Sequence, residues 1–379
     1  MTTTAAISQR GSRRAKRGQP DWWLLIAMLI LLSIGVIMVF SSSQYEAQAE
    51  GGDAYYFLKT QLFNALVGAV GLFLAFTVNH HVYRRLAYVV FLGLTVVLLF
   101  MAVSTNVATI GGAQRWLEVF GKSLQPSELA KIALPLALAR WSTANREKLP
   151  YFKAGFLPAM GLIVLTAGLI FAQRSLSVAV VVAAAGVILI FCAGARFAHL
   201  LLVAGAGVAA IAGAIALEPF RMERIYAWLD PWAYSQGDGW QTVQSLMAIG
   251  SGGLTGVGLG SGGSKWYYLP ARHTDFIFSV LCEELGFIGG VIVVLLLGFI
   301  VWRGVMVAVK APNTFDSLLA IGLISSMAVQ AVVNLGVCTG LLPVTGVTLP
   351  FVSYGGTSLV VSMTMIGMLL NISRYADRS

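Results

Sequence analysis

Residues 273–302 read HTDFIFSVLCEELGFIGGVIVVLLLGFIVW, and this stretch decides the fold. From Phe276 onward it is long enough to cross a bilayer core, which takes about 20 apolar residues in a helix. Asp275, Glu283 and Glu284 nonetheless stand at its front. A carboxylate in a membrane segment is costly unless it is paired or hydrated, and it usually marks a functional site. The stretch therefore predicts a membrane helix whose first turns carry chemistry.

The composition of the whole chain agrees with a membrane protein. Of its 379 residues, 58% are hydrophobic and only 11% are charged, whereas a soluble domain carries about 25% charged residues. The net charge of +9 is spread in short clusters between apolar runs, so it does not form one basic face for nucleic acid. The three cysteines are far apart, so neither a disulfide framework nor a structural zinc site is indicated.

Apolar runs of membrane-spanning length recur along the chain. They predict an all-α integral membrane protein with ten transmembrane helices. The predicted spans are 22–42, 57–78, 86–104, 126–141, 156–172, 176–194, 198–217, 276–302, 316–337 and 351–372.

Basic residues orient these spans. They precede the first span and follow the second, fourth, sixth, eighth and tenth. With ten spans, all of these segments fall on one side of the membrane, so the positive-inside rule places both termini in the cytoplasm. We predict a basic cytoplasmic tail at 1–21, a membrane domain at 22–372 and a second cytoplasmic tail at 373–379.

The longest predicted loop, 218–275, lies between the seventh and eighth spans and is expected to be extracytoplasmic. It mixes acids with basic residues, which long translocated loops tolerate and which indicates a binding surface. Its tryptophans and tyrosines fit either an interfacial aromatic belt or platforms for sugar rings, and the sequence leaves both open. Gly258, Gly260 and Gly263 spell GxGxxG, but no strand or helix flanks them as a dinucleotide site requires. We expect a flexible or tightly turning loop near a ligand instead.

Two charged groups begin the fourth predicted span. Glu128 and Lys131 lie three residues apart, so they share a helix face and can pair. Either a structural ion pair or the polar wall of a cavity explains them.

Asp275 also has two explanations. If the eighth helix begins near Thr274, that hydroxyl caps the helix and Asp275 merely favours the positive end of its dipole. A cap does not explain Glu283 and Glu284, which lie about two turns deeper. Two adjacent acids point to different sides of a helix, so at most one of them shares a face with Asp275.

Several motifs together resemble one family. They are GAQRW at 112–116, QPSELAK at 125–131, RMERIYAWLDPW at 221–232, HTDFIFSVLCEELG at 273–286 and LPVTGVTLPFVSYGGTSL at 342–359. In this order they resemble the SEDS family (shape, elongation, division and sporulation), which includes RodA, FtsW and SpoVE. The motif around Asp275 and the basic N-terminal tail are closer to FtsW or SpoVE.

The resemblance implies an activity and partners. It implies a ten-helix peptidoglycan glycosyltransferase in the bacterial cytoplasmic membrane, which polymerises lipid II at the outer face and releases undecaprenyl pyrophosphate. It also implies a class B penicillin-binding protein as partner, within a division or elongation complex of membrane proteins. A lipid II flippase is the alternative, because intramembrane charges also suit a transport pathway. A non-catalytic scaffold would leave the mixed-charge loop unexplained.

The resemblance also implies roles for residues. It makes Asp275 the catalytic residue and places Glu128 and Lys131 in the same cavity. Cations would hold the pyrophosphate. The predicted substrate-binding residues are Arg115, Glu128, Lys131, Arg221, Arg224, Lys265, Arg272 and His273. No cofactor is predicted, and a divalent cation, Mg²⁺ or Mn²⁺, stays open.

One motif departs from the family. The hairpin between the fifth and sixth spans usually reads Gln-Pro-Asp-Leu-Gly, whereas this chain has QRSLS at 173–177. Ser175 stands where the family has the acid, and Arg174 replaces the proline. Whether this hairpin contributes a charge or a metal contact is therefore open.

Overall fold

The computed structural model describes residues 18–49, 53–103, 108–110, 113–119, 122–216, 219–237, 239–263 and 270–375. These ranges are dominated by α-helices. In chain order they are α1 (Trp22–Ala49), α2 (Tyr56–Thr77), α3 (His80–Val103), α4 (Ala130–Ala144), α5 (Leu157–Ala172), α6 (Leu176–Cys192), α7 (Phe197–Ala216), α8 (Pro219–Leu229), α9 (Trp240–Ser251), α10 (Ile277–Val309), α11 (Thr314–Cys338) and α12 (Gly356–Ser373).

The helices have the length and surface of membrane spans. In the described ranges seven of them are long and apolar enough to cross a bilayer: α1, α2, α3, α5 together with the π-helical turn Phe152–Phe156 before it, α10, α11 and α12. Two shorter apolar stretches are α6 and the part of α7 at Phe197–Ala209. Leu66, Val89 and Phe100 are more than half exposed, as lipid-facing side chains are. An integral membrane protein built from helices is therefore confirmed, while the count of ten spans stays a prediction.

A short antiparallel sheet, which the sequence analysis does not predict, lies between α3 and α4. Its strands, in sheet order, are β1 (Ala108–Ile110), β2 (Ala113–Val119) and β3 (Lys122–Leu124). The sequence between β1 and β2 is Gly-Gly, a pair favoured in two-residue hairpins, and this signal was available. The predicted loop 218–275 likewise contains helices, namely α8 and α9.

Helix α10 is interrupted at Gly286, whose φ of 71° and ψ of −172° are not helical. A break inside a membrane segment frees backbone groups that must find partners. The loop after α9 supplies them: Phe287 N donates to Gly253 O at 2.9 Å, and Val257 N donates to Glu283 O at 3.0 Å. The glycine-rich loop therefore completes the hydrogen bonding of the interrupted helix.

Only glycine fits where this loop meets α10. A Cβ on Gly252 would lie 1.9 Å from Cys282 O, and one on Gly256 would lie 2.1 Å from Glu284 O. Gly256 also has a φ of +82°, which side-chain-bearing residues rarely adopt. The glycines thus make the tight turn that the sequence predicts, and their close approach fixes the first turns of α10.

Candidate functional site

Lys131 is the centre of a buried polar network. A single 3₁₀ turn, Pro126–Leu129, leads into α4 and places Glu128 beside it. Lys131 Nζ donates to Glu128 Oε2 at 2.6 Å and to Gln330 Oε1 at 2.6 Å. Only 2% of Lys131 is exposed, and a buried ammonium needs such partners because its desolvation is costly. The pair that the spacing predicts therefore forms, with an amide as a third member.

Gln330 on α11 carries the network onward to the loop before α12. Its Nε2 donates to Thr348 O at 2.8 Å and lies 3.2 Å from the hydroxyl oxygens of Thr348 and Ser358. Thr348 Oγ1 also donates to Ser358 Oγ at 2.9 Å. The motif LPVTGVTLPFVSYGGTSL is thereby bonded to the ion pair at the start of α4.

Asn334, one turn further along α11, bonds to the segment that carries Asp275. Its Nδ2 donates to Asp275 O at 2.8 Å and to Val347 O at 2.7 Å. Ser353 Oγ donates to Thr274 O at 2.6 Å, and Tyr354 N donates to His273 O at 2.8 Å. The backbone of His-Thr-Asp is therefore held by α11 and by the loop before α12.

Asp275 lies just before α10, which begins at Ile277 with Phe276 at its N-cap position. The Phe276 cap position has no side-chain hydrogen bond, and Thr274 Oγ1 donates to Ala271 O at 3.1 Å. The hypothesis that Thr274 caps this helix is therefore wrong, because the chain turns at Ala271 and the helix starts later. Residue Asp275 is partly exposed.

Arg272, Glu283 and Glu284 bond to other elements. Arg272 is buried, and its Nε donates to Ser42 O of α1 at 2.9 Å. Ser41 Oγ lies 2.6 and 2.7 Å from the two carboxylate oxygens of Glu284. Gly263 N donates to Glu283 Oε1 at 2.6 Å. The two adjacent acids thus contact different elements, as their helical positions predict, and they tie α10 to α1 and to the glycine-rich loop.

The remaining predicted site residues are placed as follows. His273 packs against the rings of Phe57 and Tyr354, with centroids 4.7 and 5.4 Å away. Arg224 on α8 lines a cavity described below. The side chains of Arg115 on β2 and Arg221 on α8 lie outside the described part of the chain, and so does Lys265 altogether. Their proposed contacts with substrate stay predictions.

The hairpin between α5 and α6 contributes no acid. Ser175 occupies the N-cap position of α6 and is buried, and Gln173 Nε2 donates to Leu98 O at 3.1 Å. Among the described residues, no group of three or more His, Cys, Asp or Glu side chains is arranged to hold a metal ion. We derive no step that uses a divalent cation.

This arrangement occurs in a chain that matches known proteins over nearly its whole length. Residues 22–378 match the cell cycle protein family of FtsW, RodA and SpoVE. The chain belongs to this family. It is 40% identical over 365 residues to stage V sporulation protein E of Bacillus subtilis (strain 168), covering 95% of this chain and 99% of that protein. It is also 40% identical over 356 residues to the probable peptidoglycan glycosyltransferase FtsW of Geobacter sp. (strain M18), covering 93% and 96%.

Solved structures of the family have the same fold. A chain from a peptidoglycan synthase complex, solved to show how polymerization and crosslinking are coordinated, matches with a TM-score of 0.77 and 30% identity over 94% of this chain and 99% of that one. The rod shape determining protein RodA of Thermus thermophilus matches with a TM-score of 0.71 and 28% identity, over 95% and 98%. The resemblance that the motifs indicate is therefore confirmed.

Gln330 and Asn334 are the site residues that sequence reasoning missed. They lie four residues apart on α11, so they share one face, and both are buried. The sequence did contain a signal for them: two amides four residues apart in a membrane span indicate a polar face that points into the bundle interior. Only the folded chain reveals which loops they hold.

Proposed function

We propose that this chain is a peptidoglycan glycosyltransferase that polymerises lipid II at the outer face of the bacterial cytoplasmic membrane, with undecaprenyl pyrophosphate as leaving group. Its cellular role is cell division, sporulation or shape maintenance. One observation carries the proposal: the buried network from Lys131 through Gln330 reaches the loop that, with Asn334, holds the Asp275 segment. The network links the motifs that the family shares. The relatives of this chain include a protein named probable peptidoglycan glycosyltransferase FtsW, which supports the same activity here.

The proposed topology has ten membrane helices, α1 to α7 and α10 to α12. Both termini then lie in the cytoplasm, with cytoplasmic tails at 1–21 and 373–379 flanking the membrane domain 22–372. The sheet, α8, α9 and the large loop 218–275 lie outside the cell membrane. The clustering of basic residues supports this orientation. It places Asp275 where an extracytoplasmic loop enters the bilayer, which is where a lipid-linked sugar lies.

In the proposed reaction, the Asp275 carboxylate accepts the proton of the GlcNAc 4-hydroxyl of an incoming lipid II. That oxygen then bonds to the anomeric carbon of the growing strand, whose bond to undecaprenyl pyrophosphate breaks with inversion. A positioned base contributes about 10²–10⁴-fold in rate. The partial exposure of Asp275 lets the carboxylic acid return its proton to water.

Cations stabilise the pyrophosphate that leaves. Charge-assisted contacts to developing negative charge are among the largest contributions to catalysis. Lys131 lies in a network that connects to the Asp275 loop, and Arg115, Arg221, Arg224, Lys265, Arg272 and His273 are the other proposed substrate contacts. Glu128 orients the buried Lys131 ammonium through their 2.6 Å contact.

The proposed partner is a class B penicillin-binding protein, which would crosslink the strands that this chain makes. The structural match to a chain from a complex that coordinates polymerization and crosslinking supports this pairing. Other membrane proteins of a division or elongation complex are further proposed partners.

The test is strand synthesis from lipid II. The purified protein, alone and with a candidate class B penicillin-binding protein, is incubated with lipid II and the products are separated by length. We expect glycan strands. Absence of strands under both conditions, together with transfer of lipid II across the membrane of protein-containing vesicles, would replace the proposal with the flippase.

A further inference from the structure

A cavity of about 230 Å³ lies between α8, α9 and the loops that precede α10 and α12. Trp228 and Trp240 form two of its walls, and Arg224, Gln241 and Thr242 also line it. The indoles supply flat apolar surfaces, while the guanidinium, the amide and the hydroxyl supply hydrogen-bonding groups. Neither the buried network around Lys131 nor the Asp275 carboxylate lines this cavity.

This combination of groups fits a sugar ring better than other ligands. A pyranose has C–H faces that pack on an aromatic ring, whose face is electron-rich, and hydroxyl edges that need donors and acceptors. A lipid chain would need a continuous apolar wall, which Arg224, Gln241 and Thr242 interrupt. An inorganic phosphate would leave the indoles without a role. The volume is below the roughly 300–1,000 Å³ of pockets for drug-sized ligands, so it suits one ring and its substituents.

The cavity is held rigidly relative to Asp275. Trp228 Nε1 donates to Gly340 O at 3.0 Å, which fixes one indole. Ser245 of α9 lies 2.5 Å from Ser279 Oγ, at the start of α10, and donates to Cys338 O at 2.7 Å. A pocket whose walls are fixed before binding loses little entropy when it closes on a ligand.

We propose that this cavity is a saccharide subsite that holds a sugar of the glycan strand already made, and so sets strand length. The inference rests on the proposed polymerase function. A strand retained at a second site stays at high effective concentration beside the reacting groups, so addition of the next unit competes better with release. Loss of the subsite therefore shortens strands more than it slows the formation of each bond.

The test compares Trp240→Ala, Trp240→Phe and Gln241→Leu with the wild-type chain, in the presence of the partner if wild type requires it. Single-turnover coupling of lipid II gives the rate of the first bond, and the product ladder gives mean strand length. We expect Trp240→Ala to reduce strand length at least threefold more than it reduces the first-bond rate. Gln241→Leu should also reduce strand length more than the first-bond rate, but by a smaller factor. Trp240→Phe keeps an aromatic ring, so its strand length should stay near that of wild type.

Trp232→Ala is the matched control, because Trp232 is an exposed tryptophan of the same loop that does not line the cavity. Its strand length should equal that of wild type. Equal reductions of length and first-bond rate in Trp240→Ala and Gln241→Leu would overturn the subsite, as would unchanged length in both. Shortening that occurs only with the partner present, together with weaker partner binding, would also overturn it and assign this surface to protein contact. Wild type that makes no strands would instead refute the polymerase function.

Discussion

The two ends of α11 both bury polar groups, but they bury them in different ways. Near its start, Asp316 Oδ2 lies 2.8 Å from His80 Nδ1 and accepts a hydrogen bond from Asn313 Nδ2 at 2.7 Å. Gln330 and Asn334 lie about 21 and 27 Å further along the helix, at about 1.5 Å per residue. Their amides bond to Lys131 and to the backbone of two motif loops.

The comparison shows that buried charge alone does not identify a functional site. At the first end, polar side chains join the ends of neighbouring helices. Asp21, just before α1, pairs with Arg303 of α10 at 2.6 Å. Asn371 Nδ2 of α12 donates to Phe76 O of α2 at 2.6 Å. At the second end the network leads to Asp275, a partly exposed carboxylate. What distinguishes the candidate site is that the contacts of its buried ion pair lead to the loops that hold the backbone of a partly exposed acidic residue.

The largest effect is expected in cysteine labelling, because the two ends of α11 are predicted to lie on opposite sides of the membrane. Gly237 and Glu147 are exposed positions near the second and first ends, respectively. We expect a cysteine at 237 to react with a membrane-impermeant thiol reagent in intact cells, and a cysteine at 147 to react only after lysis. The exposed native Cys192 is first replaced by serine to remove background. External labelling at 147 would invert the comparison and the topology.

Asp275→Asn should reduce strand synthesis by at least about 10², the lower range for loss of a general base. Asn has the same size, and the Asp275 backbone carbonyl still accepts from Asn334. Because Asn keeps both the size of the side chain and this backbone contact, the melting temperature should stay close to that of wild type. The measurement is the rate of polymer formation by purified protein beside its melting temperature. Polymerisation within a few-fold of wild type would remove Asp275 as the base.

Lys131→Met should reduce polymerisation at least about tenfold, the equivalent of about 1.4 kcal/mol of lost charge stabilisation. It also leaves Glu128 buried without its partner, and breaking a buried pair destabilises by about 3–5 kcal/mol. The double variant Glu128→Gln/Lys131→Met separates the two effects. It should recover much of the stability without recovering activity. Recovery of both would make the pair purely structural.

Asn334→Ala and Asn371→Ala form a matched pair from the two ends. Each removes a buried amide that donates to two or more backbone carbonyls, so each should cost about 1–3 kcal/mol of stability. Only Asn334 positions the Asp275 segment, and small displacements of a reacting group can lower rates up to about 10²-fold. We expect kcat to fall about tenfold in Asn334→Ala, with KM changed less. Equal kcat in the two variants would show that Asn334 only stabilises the fold.

The sequence predicts the helices and the motifs well because each rests on local information. An apolar run of sufficient length can only span or be buried, and the spacing of Glu128 and Lys131 alone predicts their contact. The sequence does not predict that the glycine-rich loop completes the break at Gly286, or that Gln330 and Asn334 bond to distant loops. Those contacts join residues far apart in the chain, so only the packing of α9, α10 and α11 determines them.

The smallest effect is expected from Asp316→Asn, at the first end of α11. The substitution keeps the size of the side chain and removes the charge that faces His80, so we expect a loss of about 1 kcal/mol in the free energy of unfolding. Because the entropy of unfolding is about 2.1 cal/mol/K per residue, that loss corresponds to a decrease of about 1 °C in melting temperature for this chain of 379 residues. Strand synthesis per folded molecule should stay within about twofold, because this cluster joins α11 to α3 and to the turn before α11, about 20 Å along the helix from Gln330. The measurement is polymer yield and length by the variant and by wild type at a temperature where both are folded. If Asp316→Asn reduced strand synthesis as much as Lys131→Met does, the two ends of α11 would be coupled. Buried charge would then indicate a functional site at both ends.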